Sequence, residues 1–262
     1  MIRGAIGDTG IAYRVDGASD GVPIVFINSL GTDHRLWDRQ LPAIQHECRV
    51  IRYESCGHGV SDVPDGRMTI DRFGEQCLEL LDHLGVSRAV ICGCSLGGLV
   101  TLWLAAHHPE RVTGAVLANT GAKLGTNESW DTRIAAVRAG GMAAIRDAVL
   151  GRFLTAPFRE REPDAARLIG SMLDATNPAG YIAACQALRE ADLRPKLGSV
   201  SVPTLVIGGD RDESTPLALS QELHANIADS ELVVIRDAAH LSNVEQADAF
   251  NDALVRRLRE WS

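Results

Sequence analysis

The feature that most constrains the fold is an alternation of short apolar runs with helix-like segments. The runs are rich in β-branched residues and bounded by turn residues, so each predicts a strand. They lie at residues 23–27, 49–53, 89–94, 112–118, 204–207 and 231–235. Consecutive parallel strands joined through helices form right-handed crossovers. The alternation therefore predicts an α/β fold with a mostly parallel sheet covered by helices on both faces.

Two further patterns fill in this sheet. Residues 71–84 place their apolar side chains on one helical face, whereas residues 96–106 are apolar almost all round, as expected for a helix packed against a sheet. At the amino terminus, residues 2–6 and 11–15 flank the sequence Asp8-Thr9-Gly10. This pair predicts an antiparallel hairpin at the edge of the sheet.

The alternation stops between residues 121 and 199. Helical patterns occur there at 131–139, 142–150, 162–174 and 178–189, without a convincing strand. We interpret this stretch as a helical cap inserted into the fold. The predicted division is a core of residues 1–120 and 200–262 and a cap of residues 121–199.

Composition narrows the possible partners. A net charge of −8 and a pI near 5.5 argue against nucleic acid or an anionic membrane surface as a partner. The sequence shows no secretory signal and no run of about 18 apolar residues, so we expect a cytoplasmic protein. In a reducing compartment the six cysteines are expected to be thiols and not disulfides or zinc ligands.

The strongest local motif is Gly93-Cys94-Ser95-Leu96-Gly97, a G-x-S-x-G sequence between a predicted strand and an apolar helix. A serine on such a sharp turn has a strained backbone, and side chains in place of the two glycines would collide with the adjoining strand and helix. We predict Ser95 as a nucleophile. The backbone N–H of Leu96, at the start of the helix, would stabilise an oxyanion.

A serine hydroxyl is a weak nucleophile near neutral pH and needs a base beside it. Most of the eight histidines have ordinary structural explanations. His240 differs because it follows a predicted strand and a short loop near the chain end, where the order serine, acid, histidine places the base. The sequence therefore predicts His240 as the general base.

The acid that orients the histidine should lie in the loop after the fifth predicted strand. This loop contains Asp210, Asp212 and Glu213. Asp212 occupies the middle of the loop, and Thr215 with Pro216 matches an N-cap followed by proline in the first helical turn. We predict Asp212 as the acid. Asp210 is the second candidate, because it lies close to the end of the strand and could instead stabilise the turn there. Glu213 is the third candidate.

A second oxyanion donor is expected from the loop after the first predicted strand of the parallel sheet. The sequence there is Asn28-Ser29-Leu30-Gly31-Thr32, whose small and polar residues let backbone approach a substrate. We predict the N–H of Leu30 as this donor. An ordinary glycine turn is the alternative.

With these residues assembled, the chain resembles the α/β-hydrolase superfamily along nearly its whole length. Within it, the chain is similar to the family of 3-oxoadipate enol-lactonases of the β-ketoadipate pathway. Three segments carry the closer resemblance: residues 28–32 with Trp37, residues 57–62, and residues 238–246. The last segment is the most specific of the three.

The resemblance implies an α/β-hydrolase fold and a catalytic triad of Ser95, Asp212 and His240. The implied reaction opens an enol-lactone to 3-oxoadipate through an acyl-enzyme. No cofactor and no metal is expected, in agreement with the absence of H-E-x-x-H, Walker and dinucleotide-binding motifs from the sequence. The expected state is a monomer or a small homo-oligomer.

The implied substrate is a small lactone or ester that carries a free carboxylate, so the pocket should contain a cation. Trp130, Arg133 and Arg138, at the front of the predicted cap, are candidate substrate-binding residues. For each arginine, a solvated helix face is the alternative.

Two segments depart from the family pattern. Members usually carry aspartate, a small residue and arginine before the glycine-histidine-glycine segment, whereas this chain has Glu54-Ser55-Cys56. The second departure is Cys94, beside the nucleophile. These changes could alter the neighbouring loops and reshape the pocket.

Other functions fit the same scaffold, because function is set by the pocket and not by the fold. A carboxylesterase, a carbon–carbon bond hydrolase and a cofactor-free perhydrolase remain open. A dehalogenase is disfavoured because its nucleophile would be an aspartate at the position of Ser95. A non-catalytic ligand-binding homologue is the distant alternative, since such proteins usually lose triad members.

Overall fold

The computed structural model describes residues 1–7, 9–63 and 65–261. Its centre is an eight-stranded sheet, and the predicted strands are confirmed with small shifts at their ends. The strands are β1 (Ile2–Ile6), β2 (Thr9–Gly17), β3 (Val22–Ile27), β4 (Cys48–Tyr53), β5 (Ala89–Cys94), β6 (Val112–Ala118), β7 (Thr204–Gly209) and β8 (Ser230–Ile235).

The strand order is β1-β2-β4-β3-β5-β6-β7-β8. The pairs β1–β2 and β2–β4 are antiparallel, and every later pair is parallel. The amino-terminal hairpin therefore forms one edge of the sheet, as predicted, although Asp8 of its turn lies outside the described residues. The mostly parallel sheet brings the carboxyl ends of β3, β5, β6, β7 and β8 to one edge, where loops can converge on a site.

Helices of the described chain surround this sheet. They are α1 (Leu41–Ile44), α2 (Ile70–His83), α3 (Leu96–His107), α4 (Asn127–Gly140), α5 (Arg146–Phe153), α6 (Ala156–Arg161), α7 (Pro163–Ala175), α8 (Pro178–Glu190), α9 (Leu217–Asn226), α10 (Ser242–Glu245) and α11 (Ala247–Trp261). The all-round apolar helix α3 contacts β5 and β6, α2 packs on α3, and α9 and α11 contact β7 and β8. The predicted α/β class is confirmed.

The elements between β6 and β7 in the described chain are helical, and they pack on one another as α4 with α8, α5 with α7, and α6 with α7. Two details differ from the sequence prediction. Helix α4 begins one turn before residue 131 because Thr126 and Ser129 form a capping box. A short 3-10 turn at Met142–Ala144 precedes α5, and α6 was not predicted. The exact division into core and cap stays a prediction.

Membrane-spanning helices and disulfides were considered in the sequence, and the structure bears on both. Among the described residues, no helix is both long and apolar enough to cross a bilayer. All six cysteines are buried, and none of them forms a disulfide.

Candidate active site

Ser95 lies at the tight turn between β5 and α3. Its backbone has φ 57° and ψ −112°, a conformation that a side-chain-bearing residue adopts only under strain. A Cβ at Gly93 would overlap with the backbone of α3, and one at Gly97 would overlap with the backbone of β3. Both glycines are therefore required by close packing. Leu96 is the first residue of α3, so its N–H has no acceptor within the helix.

The imidazole of His240 is buried and faces Asp212. The Nδ1 of His240 lies 2.9 Å from Oδ2 of Asp212, and Ser95 and His240 line the same cavity. Leu241 N donates to the carbonyl oxygen of Phe153 at 3.0 Å, and the Phe153 ring stacks on the imidazole with centroids 5.2 Å apart. The structure thus pairs the predicted base with the predicted acid, places the base in the cavity that Ser95 lines, and restricts the plane of the imidazole.

Asp212 is held by a shell of donors. Its Oδ1 accepts hydrogen bonds from the N–H of Ser214 and of Thr215 at 2.8 and 2.9 Å, and its Oδ2 accepts from the Thr215 hydroxyl. Burial alone would raise the pKa of this carboxyl, but the charge of His240 and the hydrogen bonds from His240 and Thr215 outweigh it, so the pKa lies below its usual value of 3.8. Asp212 is therefore held as a carboxylate that can orient the histidine.

The other two acid candidates take different places. Asp210 is exposed and pairs with Arg211, while Glu213 lines the cavity wall. The predicted N-cap role of Thr215 is wrong. Helix α9 begins at Leu217, with Pro216 at its N-cap position, because the Thr215 hydroxyl is engaged by Asp212.

Asn119 is a member of this network that sequence reasoning missed. It follows β6, has φ 45°, and donates from Nδ2 to Oδ2 of Asp212 at 3.0 Å and to the carbonyl oxygen of Ala239 at 3.2 Å. Its Oδ1 accepts a hydrogen bond from Ser242 at 2.5 Å. Asn119 thereby links the acid to the loop that carries the base. Nothing in its local sequence signals this role, because its partners lie about a hundred positions away.

The loop after β3 is arranged to present a backbone donor. The carbonyl oxygen of Ser29 accepts hydrogen bonds from Asn28 Nδ2 at 2.9 Å and from Thr32 N and Oγ1 at 3.1 and 2.8 Å. A trans peptide directs its C=O and N–H in opposite senses, so these bonds turn the N–H of Leu30 away from the loop. Ser29 and Leu30 line the cavity that Ser95 lines, which supports the choice of Leu30 as an oxyanion donor.

The side chain of Ser29 adds a feature that sequence reasoning missed. Its hydroxyl is shielded from solvent and has no hydrogen-bond partner in the described part of the chain. An unpaired buried hydroxyl is unfavourable by about 1–3 kcal/mol. Because Ser29 lines the catalytic cavity, a bound ligand is the natural acceptor for this group.

The catalytic cavity has a volume of about 400 Å³ and is lined on the cap side by Trp130 and Arg133. Trp130 is 8% exposed, and its Nε1 donates to the carbonyl oxygen of Leu124 at 2.6 Å. The Arg133 guanidinium lies 5.1 Å from the centre of the Trp130 ring and has no carboxylate partner among the residues described. Both predicted side chains therefore lie where a substrate would bind.

Arg138 does not belong to this wall. It is exposed on α4 and does not line the cavity. A separation of five residues turns a helix by about 140° beyond a full turn, so Arg133 and Arg138 face different directions. This placement gives no support to Arg138 as a substrate-binding residue, and that role stays a prediction. Arg152, at the end of α5, is a cavity-lining arginine that the sequence analysis did not select.

The two departures from the family pattern lie outside the cavity lining. The Cys94 thiol is buried, faces the carbonyl oxygen of His240 at 3.8 Å, and has its pKa raised by burial. It does not line the catalytic cavity, and the expectation that Cys94 reshapes the pocket stays a prediction. The Cys56 thiol donates to the carbonyl oxygen of Asp62 at 3.1 Å and so braces its own loop.

One group of possible metal ligands occurs in the described residues, formed by Asp33, His34 and Glu54. These groups already have partners within the protein. His34 Nδ1 lies 2.7 Å from Glu54 Oε1, and the Arg35 guanidinium donates to Asp33 at 2.6 Å. Glu54 also accepts from the N–H of Val60 at 2.6 Å. The cluster is a satisfied hydrogen-bond network and gives no argument for a metal.

Comparisons with known proteins agree with this geometry. Residues 22–247 match the family model described as alpha/beta hydrolase fold. The chain is 40% identical to 3-oxoadipate enol-lactonase 2 of Acinetobacter baylyi over 97% of this chain and 95% of that protein. The crystal structure of the enol-lactonase from Burkholderia xenovorans LB400 is 40% identical, with a TM-score of 0.96 over 98% of this chain and all of that one. A thermophilic esterase from Thermogutta terrifontis is 27% identical, with a TM-score of 0.92 over 99% of this chain and 98% of that one.

Proposed function

The chain belongs to the α/β-hydrolase family, and we propose that it is a serine hydrolase that opens 3-oxoadipate enol-lactone to 3-oxoadipate. The observation that carries the proposal is a cavity lined by Ser95, by His240, whose imidazole pairs with Asp212, and by Arg133, which has no carboxylate partner among the described residues. Similarity to the enol-lactonases supports the choice of substrate.

The first half of the reaction forms an acyl-enzyme. His240 accepts the proton of the Ser95 hydroxyl as the serine oxygen attacks the lactone carbonyl carbon. Negative charge then develops on the carbonyl oxygen, where the N–H groups of Leu30 and Leu96 stabilise it. Asp212 keeps the imidazole oriented and stabilises its protonated form.

Collapse of the tetrahedral intermediate breaks the bond between the carbonyl carbon and the ring oxygen. The ring oxygen departs as an enolate and takes the proton held by His240, which frees the imidazole to act as a base again. The resulting enol tautomerises to a ketone, and the opened substrate stays attached to Ser95 as an ester. His240 then removes a proton from water, the resulting nucleophile attacks this ester, and Ser95 regains its proton. The product carries one more carboxylate than the substrate.

The carboxylate of the substrate binds on the cap side of the cavity. Arg133 supplies a planar fork of donors that matches a carboxylate, and its stacking over Trp130 restricts its orientation. Ser29 offers a further neutral donor close to the oxyanion site. A cytoplasmic location and a monomeric or small homo-oligomeric state belong to the same proposal.

A panel of substrates tests the assignment. We expect the highest kcat/KM for the enol-lactone, lower values for p-nitrophenyl esters without a carboxylate, and none for a vinylogous carbon–carbon substrate. Preference for the neutral esters would make the chain a carboxylesterase, and hydrolysis of the carbon–carbon substrate would make it a carbon–carbon bond hydrolase. Ser95→Ala serves as the control for uncatalysed opening of the lactone.

A further inference from the structure

A second cavity adjoins the catalytic one and has a volume of about 690 Å³. It lies between the segment from α5 to α6 and the loops that follow β7 and β8. We call it the outer cavity. Its lining residues include Arg152, Arg159, Arg161 and Arg211, opposite Glu213 and Asp237. Because Arg152 and Glu213 also line the catalytic cavity, the two cavities share a wall.

The positive charge of the outer cavity is only partly neutralised within the protein. Arg211 pairs with Asp237 at 3.4 Å, whereas Arg152, Arg159 and Arg161 have no carboxylate within ion-pair distance in the described residues. Such a cluster is unexpected in a chain whose net charge is −8. Three neighbouring arginines without ion-pair partners repel one another, so the cluster favours a binding role for an anion.

Two details make this cluster more than a solvated surface. The Nε of Arg159 is shielded from solvent and has no hydrogen-bond partner among the described residues. A guanidinium N–H removed from water without an acceptor is unfavourable. The Arg161 guanidinium lies 5.5 Å from the centre of the Phe158 ring, and this stacking restricts its motion. The Arg161 head group is therefore restrained before any ligand binds, and the Arg159 Nε–H still lacks an acceptor.

We propose that the outer cavity is a second anion site, which binds a small dicarboxylate through Arg159 and Arg161. Guanidinium groups match carboxylates because two parallel N–H donors meet two oxygens. Arg152 lines both this site and the cavity in which the product forms, so the two sites are neighbours. Only the identity of the natural ligand, the dicarboxylate product, rests on the proposed function.

Calorimetric titration with adipate at low ionic strength tests the site without any turnover. Wild-type protein is expected to bind adipate at two sites. The Arg159→Gln/Arg161→Gln variant should bind at the outer site about tenfold more weakly or not at all, because charge-assisted hydrogen bonds are lost. Arg133→Gln should remove the other site and leave this one.

The controls separate a site from general charge and from misfolding. Arg167→Gln removes an exposed arginine that pairs with Asp164 on α7, and it should leave both binding events unchanged. Arg161→Gln alone, at an exposed position, replaces the double variant if the latter has a lower unfolding temperature.

Three results would overturn the proposal. These are a single adipate site that Arg133→Gln abolishes, an unchanged isotherm in the Arg159→Gln/Arg161→Gln variant, and displacement of adipate from the outer site by an equal concentration of inorganic phosphate. A protein that binds adipate as expected but does not open the enol-lactone would refute the proposed function and leave this site standing.

Discussion

Glu245 ties the loop of the base to the cap, and its replacement gives a demanding test of the structure. It is a carboxylate with 5% exposure. One of its oxygens accepts from the N–H and hydroxyl of Thr155 at 2.6 and 2.8 Å, and the other accepts from the N–H of Ala239. Ala239 precedes His240, and Asn119 holds its carbonyl oxygen at 3.2 Å. Ala239, the residue before the base, is therefore held at both its N–H and its C=O.

Glu245→Gln keeps the size of this side chain but replaces one acceptor oxygen by an NH₂ group. Whichever way the amide is oriented, a donor then faces the backbone N–H of Thr155 or of Ala239. A buried N–H left without an acceptor is unfavourable by about 1–3 kcal/mol. For a chain of this size, that loss lowers the unfolding temperature by roughly 2–4 °C per kcal/mol. A misplaced base that raises the barrier by about 1.4 kcal/mol lowers kcat about tenfold.

Thermal unfolding and steady-state turnover of the enol-lactone measure the two effects separately. The matched control is Glu160→Gln, since Glu160 is an exposed glutamate on α6, the helix that Thr155 caps. We expect the control to behave like the wild-type protein in both assays. A Glu245→Gln protein with the wild-type unfolding temperature and the wild-type kcat would refute the argument that Glu245 positions the base.

Three further changes test other parts of the site. Ser29→Ala should lower kcat/KM for the enol-lactone about tenfold through loss of a hydrogen bond to the substrate. The control Ser171→Ala, at an exposed position of α7, should leave kcat/KM unchanged, and equal effects of the two substitutions would contradict the role of Ser29. Arg133→Ala should raise KM for the enol-lactone about tenfold or more, since a charge-assisted bond to its carboxylate is lost, and an unchanged KM would remove Arg133 from the substrate site. The pKa of Asp212 is depressed in the folded protein, so its contribution to stability is complete above the ordinary pKa of 3.8 and is lost as the pH falls through the lower folded value. Unfolding temperatures of wild-type and Asp212→Asn proteins should therefore converge on acidification below that pH, and a constant difference would contradict the shift.

The sequence was most informative where a structure depends on local pattern. The strands follow from apolar runs, and the turn at Ser95 follows from glycines whose replacement would overlap with β3 and α3. His240 was found from chain order and position. In each case, the residues that determine the strand, the turn or the position of the base lie within a few positions of one another or in a fixed order along the chain.

Long-range partners were not accessible from such patterns. Asn119 and Asp212 are 93 positions apart, and Thr155 and Glu245 are 90 positions apart. Thr215 was assigned to a helix cap because its neighbours fit that motif, yet its hydroxyl bonds to Asp212. The local motif could not predict that the Thr215 hydroxyl bonds to Asp212 and not to the start of α9, because tertiary packing determines the position of the Asp212 carboxylate.

Activation of Ser95 by His240 can be measured by active-site labelling. Folded protein treated with a fluorophosphonate and analysed by peptide mass spectrometry should carry one adduct on Ser95. The adduct should form much more slowly in His240→Asn protein and should be absent after acid unfolding. Absence of label from Ser95 in the folded wild-type protein, or equal labelling rates with and without His240, would contradict the account.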